Sequence, residues 1–244
     1  MLAVLGIGRG DVVSVVGAGG KTTLVYRLAA EARGQGWRVL VTTTTHMGTL
    51  AKAITGPVLV EAESAIESEL ARALATEGRA TVLGRRVRPD KLEGLAPERV
   101  DALAVTADLV LVEADGARGR SLKVPAAHEP VIPASTTLVI VVAALDVLGR
   151  PLDAATVHRL DLVCAATGAR EGDRVGPALL AAALAHPSSY TSRIRVGVRS
   201  GVFLNKADDE AAMSAAAEVA ALLRPSYAFV AAGSARSGRA VAFP

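Results

Sequence analysis

Cysteine and aromatic residues are scarce in this chain of 244 residues. Its only cysteine is Cys164, so the chain can form neither an internal disulfide nor a cysteine-based zinc site, and a reducing compartment is expected. Aromatic residues make up 3% of the sequence, and the formal net charge is only +3. Because the arginines are scattered and are not interleaved with aromatic residues, we expect no nucleic-acid partner.

Apolar runs that are long enough to span a bilayer are also missing. The longest charge-free stretch, residues 130–145, is short for a bilayer span and contains prolines, a serine and two threonines. The first residues lack the basic start and the apolar core of a signal peptide. We therefore expect a cytoplasmic protein that does not contact a membrane.

Hydrophobic residues make up 51% of the chain, enough for one sizeable core, so a single domain over residues 1–244 is expected. Apolar β-branched runs alternate with alanine-rich stretches. This pattern is typical of a mostly parallel sheet flanked by helices, whose ligands bind at the carboxyl ends of the strands. Strands are predicted at residues 12–16, 38–42, 81–83, 109–113, 138–143, 201–204 and 227–231, and helices at 22–33, 64–77, 97–106, 177–186 and 209–223.

Two stretches interrupt this alternation, residues 84–94 and residues 148–174. The first is charged and contains a proline, and the second mixes short helix-like pieces with glycines. Each predicts a small insertion that forms a lid or subdomain, or else a solvated connection between elements of the sheet.

A glycine-rich loop, GAGGKTT, lies between the first predicted strand and the first predicted helix. In this context glycines let backbone N–H groups point at a polyphosphate, a lysine neutralises its terminal phosphates, and a threonine hydroxyl ligates Mg²⁺. The loop therefore predicts a nucleoside triphosphate site in a three-layer α/β P-loop NTPase fold. The standard spacing requires a glycine where Val15 stands, so a glycine-rich turn that binds nothing is the alternative. The predicted nucleotide ligands are Gly17, Ala18, Gly19, Gly20, Lys21, Thr22 and Thr23, and Lys21 is also a candidate catalytic residue.

Two acidic residues, Glu113 and Asp115, follow the strand predicted at residues 109–113. P-loop proteins hold at this point the acid that orients Mg²⁺ or its water. We therefore expect Thr22 and Glu113 to hold Mg²⁺, and Asp115 to orient the attacking water. A strand-end acid that faces solvent is the alternative.

The tetrapeptide NKAD, residues 205–208, follows the strand predicted at residues 201–204. In the NKxD arrangement the aspartate accepts hydrogen bonds from two N–H groups of guanine and the lysine stem covers the base, which favours GTP over ATP. A backbone N–H after the next strand would meet the guanine carbonyl oxygen. A polar turn that caps the following helix is the alternative. The candidate nucleoside ligands are Asn205, Lys206, Asp208, Ser234 and Ala235.

Polar residues that a nucleotide site does not require lie in two further segments. Four threonines and a histidine follow the second strand, either as contacts to phosphate or Mg²⁺ or simply as good strand sequence. A basic and acidic cluster follows Glu113, either as a sensor of the terminal phosphate, as a site for an anionic second ligand, or as ordinary salt bridges. The candidate residues for a second ligand or switch are Thr44, His46, Arg118, Lys123, His128 and Glu129.

These segments, in this order, resemble the YqeC family. The resemblance is carried by VVGAGGKTTL, TTTTHM, VEADGARGRSLKVPAAHEPVIP and LNKADD, and it spans nearly the whole chain. It implies an accessory protein whose partner is a selenium-dependent molybdenum hydroxylase or the cofactor-maturation proteins of that enzyme. The ExxG and NKAD motifs are also similar to those of GTPases that assist nickel insertion and cobalamin-enzyme maturation, which implies a homodimer. The short GAGGKTT loop is similar to the ATP loop of Mur ligases.

Three functions are consistent with these motifs. The first is a slow, Mg²⁺-dependent NTPase, with GTP favoured over ATP, that serves as a maturation factor for a molybdenum hydroxylase. The second is an ATP-dependent ligase or small-molecule kinase whose acceptor binds at residues 123–129. The third is a scaffold that binds a nucleotide without hydrolysing it.

Overall fold

The structure of the 244-residue chain is a computed structural model, and it describes residues 1–48, 56–61, 65–88 and 91–243. Its strands are β1 (Val12–Gly17), β2 (Val39–Thr43), β3 (Met47–Gly48), β4 (Val58–Val60), β5 (Arg79–Leu83), β6 (Arg86–Arg88), β7 (Lys91–Leu92), β8 (Leu109–Glu113), β9 (Leu122–Lys123), β10 (Leu138–Ala144), β11 (Val157–His158), β12 (Arg199–Asn205), β13 (Phe229–Ser234) and β14 (Arg239–Phe243). Its helices are α1 (Lys21–Gly34), α2 (Ile66–Glu77), α3 (Pro97–Ala104), α4 (Leu160–Thr167), α5 (Pro177–Ala185) and α6 (Glu210–Leu223).

The principal sheet has the strand order β14-β13-β12-β10-β1-β8-β2-β5-β4. The pairs β1 with β8, β8 with β2, β2 with β5, β5 with β4, and β12 with β13 are parallel, whereas β13 and β14 are antiparallel. Helices alternate with these strands along the chain. The prediction of an α/β fold with a mostly parallel sheet flanked by helices is therefore confirmed.

The chain divides into two compact units. The first unit comprises Met1–Val15, Thr22–Asp115 and Val131–Leu138, and the second unit comprises Val16–Lys21, Gly116–Pro130 and Val139–Pro244. The predicted single domain over residues 1–244 stays a prediction.

In the first unit, continuous apolar runs form the buried strands, as covered parallel strands require. All residues of β2 are buried, as are the first four residues of β8. Helix α2 ends at Gly78, whose φ of 70° closes the helix in the left-handed conformation. The single tryptophan, Trp37, lies under the guanidinium of Arg9, whose Cζ is 5.5 Å from the ring centroid.

Strand β10 is buried along its whole length, LVIVVAA, and its residues 139–144 belong to the second unit. Helix α6 begins after Asp209, whose carboxylate accepts a hydrogen bond from the Ala212 N–H at 2.8 Å. Strands β9 and β11 form a separate two-stranded parallel sheet. Helix α4 follows β11 and lies within residues 148–174, where the sequence showed short helix-like pieces without defined bounds.

The two interrupting stretches contain regular structure. Strands β6 and β7 lie within residues 84–94, and β7 pairs with both β6 and β3 in a small three-stranded sheet. Residues 148–174 contain β11 and α4, and an isolated antiparallel bridge joins Pro151 to Arg174. Their status as insertions stays a prediction. The predicted start of the second helix, Ser64, lies outside the described residues, and α2 begins at Ile66.

In the part of the chain that the structure describes, no helix combines the length and the apolarity needed to cross a bilayer.

Candidate functional site

The loop between β1 and α1 lies tightly against β10 in the second unit. Gly17 and Gly19 have φ values of 98° and 86°, in the left-handed region that favours glycine. A Cβ on Gly17 would lie 2.1 Å from the carbonyl oxygen of Val142, and a Cβ on Gly19 would lie 2.4 Å from the Cβ of Ala144. Both positions therefore require glycine for backbone conformation and for space.

The buried lysine of this loop, Lys21, is 4% exposed. Its ammonium donates a hydrogen bond to the carbonyl oxygen of Gly17 at 2.7 Å, and the Ala18 N–H donates to the Val142 carbonyl at 2.8 Å. The backbone of the loop therefore turns around the Lys21 ammonium, and the hydrogen bond to Val142 of β10 holds that backbone in place. This arrangement brings a positive charge and tightly turned backbone together, as a phosphate-binding loop requires.

Asn205, at the end of β12, fastens the glycine loop to the end of β13. Its side-chain amide donates to the Gly19 carbonyl at 2.7 Å, and its side-chain oxygen accepts from the Ala235 N–H at 2.9 Å. A Cβ on Gly20 would lie 2.3 Å from the same amide nitrogen. A backbone N–H of residues 233–235 was predicted to meet the guanine carbonyl oxygen. Of these, the Ala235 N–H is engaged by Asn205, and Ser234 is buried.

The two charged residues of the NKAD segment are exposed. Lys206 has a φ of 63° and donates to the carboxylate of Asp146 at 2.6 Å. The side chain of Asp208 is exposed. Because the N-cap of α6 is Asp209 and not Asp208, capping of that helix does not account for Asp208.

In the first unit, the predicted metal ligands lie together. The Thr22 hydroxyl donates to Oε2 of Glu113 at 2.7 Å. The backbone carbonyl of Glu113 accepts from the Thr43 hydroxyl at 2.7 Å and from the Thr44 N–H at 3.2 Å. Strand β2 thus fixes the backbone that carries the Glu113 carboxylate. Thr23, next along α1, is exposed.

The other candidates of the first unit have distinct environments. Asp115 is only 1% exposed. The Thr44 hydroxyl donates to the Val131 carbonyl at 2.6 Å. His46 is exposed and lines, with Thr44, an open cavity of about 540 Å³. Within that cavity lining the Arg85 guanidinium hydrogen-bonds Glu93 at 2.6 Å and holds the pKa of its carboxyl below the ordinary value.

The charged cluster of residues 116–130 lies in the second unit, and its ion pair between Lys123 and Glu129 is internal. The Lys123 side chain is fully buried, and its ammonium donates to the Gly116 carbonyl at 2.7 Å and to the Glu129 carboxylate at 2.9 Å. The Arg159 guanidinium lies 3.1 Å from the same carboxylate. Burial raises the pKa of Glu129, but Lys123 and Arg159 outweigh it, so the pKa lies below its ordinary value.

The other two candidates of this cluster, Arg118 and His128, are exposed. Arg118 has a φ of 50°. The structure therefore separates the six candidates for a second ligand or switch. Thr44 and His46 lie in the first unit, Lys123 and Glu129 form a buried ion pair in the second, and Arg118 and His128 lie on the surface of the second.

Comparison with known proteins decides the family. The family described as YqeC protein matches residues 13–161 of this chain. The chain belongs to the YqeC family. It is 36% identical over 201 residues to YqeC of Escherichia coli (strain K12), a match that covers 81% of this chain and 77% of that protein. The matched family region contains the glycine loop, Glu113 and the Lys123–Glu129 pair, whereas NKAD lies beyond it.

Solved structures show more distant similarity to this YqeC-family chain. Chloroplast FtsY from Physcomitrella patens has a TM-score of 0.48 and 19% identity, over 98% of this chain and 64% of FtsY. The chain thus spans less than two thirds of the FtsY length. The hydrogenase maturation factor HypB from Archaeoglobus fulgidus has a TM-score of 0.42 and 15% identity, over 94% of this chain and 84% of HypB. Because both TM-scores lie below 0.5, neither protein assigns an activity here.

Sequence reasoning missed three residues of this YqeC-family site. Asp146 pairs with Lys206, Arg159 pairs with Glu129, and Arg193 donates to the carbonyls of Ala126 and Glu129. Arg193 lies 64 positions from Glu129 along the chain, and no motif or periodicity links the two. Only the fold places these partners side by side.

Proposed function

We propose that this YqeC-family protein is a Mg²⁺-dependent nucleoside-triphosphate-binding protein and a slow NTPase. The observation that carries the proposal is the glycine loop, in which Gly17 and Gly19 have no room for a side chain and Lys21 lies buried over the Gly17 carbonyl. A loop that excludes side chains exposes backbone N–H groups to a ligand, and the lysine charge offsets phosphate charge. Residues 17–23 would therefore hold the phosphates.

The donor set of the first unit fits a magnesium ion. Among the described residues no group of three or more histidine, cysteine or acidic side chains is placed to hold a metal. Mg²⁺ in nucleotide sites is commonly bound by one or two protein oxygens together with phosphate oxygens and water. The Thr22 hydroxyl and the Glu113 carboxylate, 2.7 Å apart, supply such oxygens. When bound, the ion would neutralise charge on the phosphates.

Water activation falls to Asp115 in this proposal. It lies two positions after Glu113, the last residue of β8, and it is buried. A buried carboxylate keeps one orientation, whereas an exposed side chain would adopt several. Lys21 would stabilise the charge that develops on the phosphates. We expect turnover by the isolated chain to be slow, because a partner would supply the group that completes charge neutralisation.

We propose GTP as the preferred nucleotide. Asp208 is exposed beside Lys206, and the cap of α6 is its neighbour Asp209, so the Asp208 carboxylate is available to guanine N–H groups. ATP is the second candidate, with a ligase or kinase activity. It is favoured by the short loop spacing that leaves Val15 in place of a glycine.

The resemblance to the YqeC family supports a proposal for the cellular role. We propose that the protein acts in the cytoplasm, as a homodimer, on a molybdenum hydroxylase or on the maturation proteins of its cofactor. The buried ion pair Lys123–Glu129 lies within the matched family region and is not required for phosphate binding. We propose that it shapes the loop on which exposed Arg118 and His128 meet an anionic ligand or a partner.

Calorimetric titration of the Lys21→Ala variant tests the phosphate site. We expect a loss of affinity for GTP of roughly 100-fold or more, because a buried charge-assisted contact is removed. Lys91→Ala removes a lysine from β7, outside the loop, and should bind as the wild type does. Normal affinity in Lys21→Ala would rule out this assignment.

A nucleotide panel tests the base. The wild type should bind GTP more tightly than ATP, and Asp208→Asn should weaken GTP roughly tenfold to 100-fold because the carboxylate accepts two hydrogen bonds. Asp209→Asn is the matched control, since asparagine keeps the cap of α6 while removing the same charge. Tight ATP binding with no GTP binding would favour the ligase or kinase instead.

Phosphate release separates a hydrolase from a scaffold. We expect slow release by the protein alone and faster release when the hydroxylase is added. A protein that binds nucleotide yet releases no phosphate in either case would be a scaffold.

A further inference from the structure

Lys206 is held in an unusual backbone conformation at the end of β12. Its φ of 63° lies in the left-handed region, which residues with a side chain seldom adopt. Two neighbouring contacts hold it there: Asn205 bonds to both Gly19 and Ala235, and the Ala207 N–H donates to the Gly233 carbonyl at 3.0 Å. Strain of this kind persists only where the surroundings determine the conformation, and it is common at ligand sites.

The side chain of Lys206 is anchored at its far end. Its ammonium donates to Oδ2 of Asp146 at 2.6 Å, across 60 positions of sequence. Both side chains are partly exposed, 41% for the lysine and 34% for the aspartate. Backbone and ammonium are therefore both fixed, and the four-carbon stem between them has few conformations left.

Asp146 itself depends on this lysine. Its other carboxylate oxygen, Oδ1, is buried and accepts no hydrogen bond from the part of the chain that the structure describes. Burial raises the pKa of Asp146, but the hydrogen bond from Lys206 is among the contacts that outweigh it, so the carboxyl stays ionised more readily than usual. Without Lys206 the carboxylate would lose its closest cation.

Asp146 is also close in sequence to Ala144, which packs against the glycine loop. It lies two positions after Ala144, the residue whose Cβ prevents any side chain at Gly19. The short 3-10 turn Leu145–Val147 follows β10 directly. One segment thus fixes the phosphate loop at Gly19 and the stem of Lys206 at its ammonium.

We propose that Asp146 is a positioning residue for the nucleoside: by holding the Lys206 ammonium, it keeps the lysine stem where the base of the bound nucleotide packs. The role rests on the proposed nucleotide function, and it concerns the base and not the phosphates. An apolar stem that is already held in place loses less conformational entropy when a base packs on it than a mobile stem does. Asp146 would therefore raise affinity for nucleotides without touching them.

Titrations with GTP and with inorganic tripolyphosphate test this role. The variants are Asp146→Asn, which keeps the shape and removes the charge, and Lys206→Met, which keeps an unbranched apolar side chain and removes the ammonium. We expect each to weaken GTP about fivefold, as loss of a partly exposed ion pair would. Tripolyphosphate has no base, so its affinity should not change.

The double variant measures whether the two residues act together. If Asp146 works through Lys206, the double variant should bind GTP no more weakly than either single variant, because coupled effects are not additive. Asp161→Asn removes the same charge from an exposed position on α4 and should bind as the wild type does. Unfolding temperatures of all variants identify any that fail to fold. Lys206 is the more exposed residue of the pair, so Lys206→Met keeps the test available if Asp146→Asn fails to fold.

The outcomes separate the two proposals. Weaker GTP binding with unchanged tripolyphosphate binding supports the role of Asp146. Unchanged GTP affinity in both single variants, or equal weakening of both ligands, overturns that role and leaves the nucleotide function standing. A wild type that binds neither ligand overturns both.

Discussion

At the scale of single residues, the interaction between Lys123 and Glu129 determines which charges of residues 116–130 are buried. A lysine with no solvent exposure is costly unless its charge is paired and its donors are used. Lys123 meets both conditions through Gly116 and Glu129, and the Arg159 guanidinium lies against the same carboxylate. From the sequence, these charged residues were predicted either to contact a phosphate or a second ligand or to form ordinary salt bridges. They form instead an interior ion pair, whereas His128, which precedes Glu129 in the chain, is exposed.

Acid should weaken this ion pair, which gives a prediction at the residue scale. The pKa of Glu129 in the folded protein lies below its ordinary value of 4.5, so its contribution to stability is complete above that value and is lost as the pH falls through the folded pKa. We expect Glu129→Gln to lower the free energy of unfolding by about 3 kcal/mol at neutral pH, since it leaves Lys123 buried without its carboxylate.

Urea unfolding at several pH values checks this prediction. Below pH 4.5 the wild type should lose stability more steeply than Glu129→Gln, so that the difference between them shrinks. Lys123→Met, which removes the buried charge, should be less destabilised than Glu129→Gln at neutral pH. A constant difference between wild type and Glu129→Gln at every pH would contradict a role for the Glu129 charge.

The glycine loop is the element on which the proposed function depends most. At Gly19 two requirements coincide, a positive φ and the absence of space beside Ala144. They can be separated because Gly197, in the same unit, has a φ of 88°, and a Cβ there would lie more than 4 Å from any other part of the described chain beyond its immediate neighbours. A substitution there measures the cost of backbone conformation alone.

Alanine at these two glycines should therefore have unequal effects. Gly197→Ala should cost about 1 kcal/mol of stability, from backbone strain alone. Gly19→Ala should cost roughly 3 kcal/mol or more, because overpacking against Ala144 is added to the strain, and it should abolish nucleotide binding. Denaturant unfolding and calorimetry give the two values. Equal costs would show that β10 does not confine the loop.

At this scale the sequence predicted well the elements that have a long apolar run. Strand β8 lies at Leu109–Glu113 as predicted, because a short, continuous apolar run is typical of a strand that is covered on both faces. Strand β14 was missed: its RAVAF sequence is partly exposed along its length and resembles a loop. Strands β9 and β11 have two residues each, too few for any periodicity. The pairs Lys206–Asp146 and Arg159–Glu129 need tertiary contacts that no local pattern encodes.

For the whole molecule, binding of a nucleotide should raise thermal stability. A ligand at 100 times its dissociation constant adds about 2.7 kcal/mol to the free energy of unfolding. In a chain of this size that raises the unfolding temperature by roughly 5–10 °C. We expect such a shift for the wild type with GTP and Mg²⁺, a smaller one without Mg²⁺, and none for Lys21→Ala. A shift of equal size in Lys21→Ala would place the nucleotide elsewhere.

The isolated tryptophan of the first unit has a spectroscopic consequence. Trp37 is the only tryptophan in the chain, and its ring lies under Arg9, which also contacts Asp108 at 3.3 Å. Its emission therefore reports the environment of the first unit alone, whereas circular dichroism reports the helices and strands of both units. The two signals will coincide during denaturation if the chain unfolds in one transition. A fluorescence change that comes earlier or later than the dichroism change would mark the first unit as a separate cooperative body.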